Sequence, residues 1–135
     1  MIKRFAIYGV IGWFIEVIWT GFGSALSGDW RLVSRTYLWM FFIYGLAAFL
    51  EPVHERIRQY FWVVRGIIWM VVIFFVEYTT GYLLDIIIGS CPWDYTNDSP
   101  FATADGYIRL DYGPAWFVAG LFFERVHDYL KRVGI

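Results

Sequence analysis

Ile67-Ile-Trp-Met-Val-Val-Ile-Phe-Phe-Val76 lies in a stretch where the only charged residue between Arg65 and Asp85 is Glu77. A soluble domain of 135 residues has too little interior to hide such a run beside its counterpart from Met40 to Leu50. A bilayer supplies that interior. Its hydrocarbon core of about 30 Å takes roughly 20 helical residues, and the stretch 62–89 meets that length. So do 5–23, 36–57 and 112–130. The sequence therefore predicts one all-α membrane domain over 1–135, a bundle of four transmembrane helices. Composition agrees, with 59% hydrophobic, 23% aromatic and only 17% charged residues.

The charges inform by position. Lys3, Arg4, Arg56, Arg58, Arg65, Arg125, Lys131 and Arg132 fall on one side of this topology, against Arg31, Arg35 and Arg109 on the other. The positive-inside rule then predicts an integral, multi-pass protein with both termini cytoplasmic. Lys3-Arg4 followed by an apolar run resembles a secretory signal, but Glu16 interrupts that run, so it reads as a retained span. Trp30, Tyr37, Trp39, Tyr60, Trp62, Trp93 and Tyr112 sit near span ends, where amphipathic rings prefer the headgroups. A net charge of −1 suggests no nucleic-acid partner; the expected partners are the lipid bilayer, a second copy in a homo-oligomer, or another membrane protein. Cys91, the only cysteine, excludes an internal disulfide and a multi-thiolate zinc site.

The two halves echo each other. Trp13-Phe-Ile-Glu16 matches Phe74-Phe-Val-Glu77, and Leu50-Glu51-Pro-Val-His54-Glu matches Phe123-Glu124-Arg-Val-His127-Asp. Two repeated helical hairpins would give such a pattern.

Small and polar residues recur at helical spacing in each span: Gly9, Gly12, Glu16 and Thr20; Tyr44, Ala48, Glu51 and His54; Gly66, Glu77 and Gly81; Gly113, Gly120, Glu124 and His127. Such faces are expected to meet inside the bundle. Two Glu-x-x-His pairs, Glu51/His54 and Glu124/His127, with single glutamates at Glu16 and Glu77, follow the ligand plan of di-iron and di-manganese four-helix proteins. The i, i+3 spacing puts carboxylate and imidazole on one helical face, and four carboxylates offset two divalent cations. Depth argues against a single cluster. Glu16 and Glu77 lie about 18 Å along the helix from Arg4 and Arg65, whereas Glu51 and Glu124 lie about 10 Å from Arg58 and Lys131. A shared site needs tilt or a kink, which Pro52 can supply. The competing reading pairs Glu51, Glu55 and Glu124 with Arg56, Arg58 and Arg125 at headgroup depth. Two further alternatives are a haem between His54 and His127 and glutamates that couple cations in a small transport subunit.

The loop 90–111 mixes turn formers with aromatics and is expected to cover the extracytoplasmic mouth of the bundle. Trp93, Asp94, Tyr95, Asp105 and Arg109 are its candidate binding residues, although Asx turns account for the aspartates more simply.

Gly12-Trp13-x-x-Glu16, Leu50-Glu51-Pro52-x-His54, Cys91-Pro92-Trp93-Asp94-Tyr95 and Gly106-Tyr107-Ile108-Arg109-Leu110-Asp111-Tyr112 together resemble the transmembrane protein 229 family, within the grouping called ABC-transporter type IV or CmpB-like. The resemblance covers nearly the whole chain and implies a multispan membrane protein linked to transport. No Gly-x-x-x-x-Gly-Lys-Ser/Thr phosphate loop is present, and no catalytic residue set emerges.

Overall fold

The computed structural model describes all residues 1–135 and contains helices without strands. Helix α1 covers Ile2–Leu26, α2 Leu38–Gly45, α3 Glu51–Ile57, α4 Trp62–Ile88 and α5 Gly113–Arg132. A 3-10 segment, Leu46–Leu50, joins α2 to α3, so the chain makes four helical stretches. Two compact units divide it: Met1–Glu51 with Ile135, and Pro52–Gly134.

Helices α1 and α4 are each long and apolar enough to cross a bilayer. At 1.5 Å per residue they span about 37 and 40 Å. The other two stretches fall short of that standard. The second is broken into pieces of eight, five and seven residues. The last carries Glu124, Arg125, Asp128, Lys131 and Arg132 near its end.

The break has a local cause. Pro52 has no N–H to bond the Ala48 carbonyl, and its ring crowds that carbonyl, so α-helical bonding cannot run through this turn. The chain tightens into a 3-10 segment just before Pro52 and resumes α-helix at Glu51 (φ −55°, ψ −37°).

In the first unit α1 packs on α2. Gly12 lies so close to Tyr44 that a Cβ there would overlap the ring. The second helix begins at Leu38 rather than at 36, because the residues before it serve as a strap along α1. Ser24 Oγ donates to the Val33 carbonyl and Thr20 Oγ to the Arg35 carbonyl, while the Arg35 N–H returns a bond to Thr20. Thr36 donates to Glu16 at 3.0 Å, and the Trp13 indole to the Tyr37 carbonyl at 2.9 Å. Polar side chains three or four residues apart on α1 thus hold an extended segment of the chain.

In the second unit α4 packs on α5. Gly89, in the left-handed region at φ +81°, ends α4 and bonds back to the Asp85 carbonyl. Pro114 in the first turn of α5 suits a helix start. At Gly120 an added Cβ would overlap Trp69. In both units the buried helix positions are mostly small or polar, among them Gly9, Gly12, Gly66, Glu77, Gly120 and Glu124, while Phe14, Ile18, Phe22, Ile67, Phe75, Val118 and Phe122 face outward.

The loop after α4 folds back within its own unit. Trp93 is buried and its indole donates to the Tyr107 carbonyl; the Tyr107 hydroxyl donates to Asp85 at 2.6 Å. Ala102 and Arg109 form a β-bridge. Phe101, in contrast, is 60% exposed. Cys91 Sγ lies next to Gly81, and burial pushes its thiol up to about 11.

Two outcomes follow. Gly120→Ala should cost about 1–3 kcal/mol by overpacking, read as unfolding in mixed micelles with rising dodecyl sulfate, whereas Gly23→Ala, which meets open space, should leave the transition unchanged or raise it. Cys91 holds little thiolate below its raised pKa, so alkylation at pH 8 should run about tenfold slower in the folded protein than after denaturation. Equal rates would show that the thiol is not shielded.

Candidate functional site

The residues singled out by sequence occupy several places. In the first unit Glu51 accepts from the Arg4 guanidinium and, at 2.9 Å, from the Tyr8 hydroxyl. Glu16 meets Thr36 instead. It lies eight residues beyond Tyr8 on α1, about 12 Å along the axis. The two carboxylates of this unit therefore stand at different levels.

The second unit has the same plan. Glu124, 4% exposed, accepts from Arg65 Nε at 3.0 Å and from the Trp69 indole at 2.8 Å. Glu77, 8% exposed, accepts from the Trp116 indole at 3.1 Å and from the Tyr95 hydroxyl at 3.3 Å. Trp116 precedes Glu124 by eight residues, again about 12 Å. In both units an arginine, and an aromatic donor four residues after it, hold the glutamate of the later helix.

His54 and His127 do come together. Their rings meet edge to face with centroids 4.8 Å apart, and both are buried. Each histidine meets the acid that follows the other one: His54 Nε2 lies 3.3 Å from Asp128 Oδ1, and His127 Nε2 3.0 Å from Glu55 Oε1. Lys131 donates to the same Glu55 oxygen at 2.9 Å. Donor atoms of His54, His127 and Asp128 all lie within 4.8 Å of one another, close enough to hold a metal ion.

The orientation of His54 follows from its neighbours. Arg58 Nη2 is 2.7 Å from His54 Nε2. A guanidinium offers only protons, so Nε2 accepts and the ring proton sits on Nδ1. That nitrogen faces Glu124 Oε1 at 3.4 Å. A carboxylate behind one ring nitrogen, with the other aimed into a polar cluster, is the arrangement that orients metal-binding histidines.

Arg56 and Arg125 are exposed; Glu124 meets Arg65, and Glu55 meets Lys131 together with Arg58, the latter at 3.8 Å. The reason is geometric: residues adjacent in a helix point about 100° apart, so partners come from the facing helix or from one turn away.

Glu55 and Asp128 were not among the residues expected at a site. The signal was available, since a His-acid dipeptide ends both Glu-x-x-His motifs.

The loop candidates have local roles. Asp94 accepts from Thr96 N–H and Oγ, which holds its carboxyl below the usual range. Asp105 caps Thr103 and the Tyr107 N–H. Arg109 pairs with Asp111, lowering that carboxyl, and lies 4.2 Å from the Tyr112 ring centroid. Trp93 and Tyr95 make the bonds given above.

No curated protein and no solved structure matches the chain. Residues 4–133 match the family described as "Putative ABC-transporter type IV", and with nearly the whole length covered, the chain belongs to that family.

Proposed function

We propose that the protein is a four-span membrane component of a transport system, with both termini cytoplasmic, that binds one divalent transition-metal ion between α3 and α5. The observation that carries the metal reading is the crossed pairing of His54 with Asp128 and His127 with Glu55. Two ligands on a tetrahedral ion with bonds of about 2.0–2.1 Å stand roughly 3.3 Å apart. The two pairs are separated by 3.3 and 3.0 Å, and His54, His127 and Asp128 lie within 4.8 Å of one another, so the two pairs must draw together on the ion, with Glu55 brought in from outside that group of three. Two imidazoles and two carboxylates suit zinc, iron, manganese or cobalt.

Several features support the membrane part. The outward faces of α2, the 3-10 segment and α5 also carry large apolar side chains, among them Leu38, Phe42, Phe49, Val118 and Phe122. Small and polar residues on the packed side and large apolar ones outside are what lipid favours. The family description supplies the transport class. With no phosphate loop in the chain, nucleotide hydrolysis falls to a partner. The matching Arg4-Tyr8-Glu51 and Arg65-Trp69-Glu124 clamps support two repeated hairpins.

One ion suits the arrangement better than two, because Glu77 on α4 bonds to Trp116, which stands eleven residues, about 16 Å along α5, before His127. The edge-to-face contact of the imidazoles leaves no slot for a haem between them.

Detergent-purified protein titrated with Co2+ should take up about one ion per chain and show the visible bands of a four-coordinate site. His54→Ala and His127→Ala should weaken uptake at least tenfold, and Glu124→Gln by about tenfold through the ring it orients. Glu16→Gln and Glu77→Gln should leave it unchanged. About two iron or manganese ions, lost in those last two variants, would instead favour the di-metal arrangement. No uptake by any form would end the metal reading.

A further inference from the structure

We propose that Arg58 is the built-in competitor of this metal site, a guanidinium that holds the ligands until an ion displaces it. The inference rests on the metal-binding reading above and adds its regulation.

Arg58 reaches three of the four ligand residues. Its Nη2 is 2.7 Å from His54 Nε2 and also donates to Asp128 Oδ1, and its Nε lies 3.8 Å from Glu55 Oε2. An ion on His54 and Asp128 would need the lone pairs that Arg58 now takes. Guanidinium cannot lose its proton to make way, so the two cations exclude each other. Electrostatics keeps one cation or the other in place. Glu55, Asp128 and Glu124 give the cluster three carboxylates, facing Lys131 and Arg65 as well as Arg58. Removing Arg58 without a replacement would leave one negative charge uncompensated, and a divalent ion supplies that charge and one more.

The displaced side chain has somewhere to go. Arg58 is 47% exposed, Glu55 40% and Asp128 33%, so the cluster is open on the side from which an ion would enter. Arg58 also begins the short turn between α3 and α4. Its N–H bonds to the His54 carbonyl, and Arg65 Nη1 donates to the Tyr60 carbonyl in the same turn. Metal binding would therefore free the side chain of a turn residue and report occupancy at that end of the second unit.

Two measurements on the full-length, detergent-purified protein test this. Arg58→Gln should bind Co2+ about tenfold more tightly than the natural sequence, as expected if the guanidinium holds the site closed most of the time. In the natural sequence, saturating Co2+ should speed trypsin cleavage after Arg58 several-fold relative to cleavage after the exposed Arg31, because trypsin must take the arginine side chain into its pocket. Co2+ binding by the natural sequence, with equal or weaker affinity in the variant, would overturn the role of Arg58 and leave the metal site standing. If the variant does not fold, bound Co2+ with an unchanged cleavage ratio overturns it alone. Absence of Co2+ binding in both forms would remove the metal reading and this inference with it.

Discussion

A carboxylate among apolar helices has to be met at close range, and in each unit an arginine near the start of the earlier helix meets a glutamate of the later helical stretch. Arg65 and Glu124 make the clearer case. With the Trp69 indole they give a buried carboxylate three directed bonds. Removing one member of such a pair leaves a charge stranded, at a cost of about 3–5 kcal/mol. The pair therefore sets the register of α4 against α5. It also fixes where Glu124 stands behind His54, and so which ring nitrogen faces the Asp128 side.

Much of this was legible in the sequence. Apolar runs marked α1 and α4; the structure extends α1 by three residues at either end and ends α4 one residue earlier than expected. The Glu-x-x-His spacing singled out two histidines whose rings meet. The strap at 33–37 was not legible, because Thr20, Ser24 and Thr36 read as seam or loop residues until their partners are known. Nor was the link of Glu55, Asp128 and Arg58 to the histidines. A His-acid dipeptide has no periodicity to stand out, and each acid serves the histidine of the other helix, a relation that local spacing does not encode. The depth argument held within each unit: Glu16 and Glu77 stand at a different level from Glu51 and Glu124.

The strap along α1 bears on how the chain is made. An extended segment entering hydrocarbon by itself exposes main-chain polar groups at several kcal/mol each. Ser24, Thr20 and Glu16 offer it bonding partners on a helix synthesised earlier. The strap therefore owes its place to a helix that precedes it in the chain, and its polar backbone is satisfied only once α1 has formed.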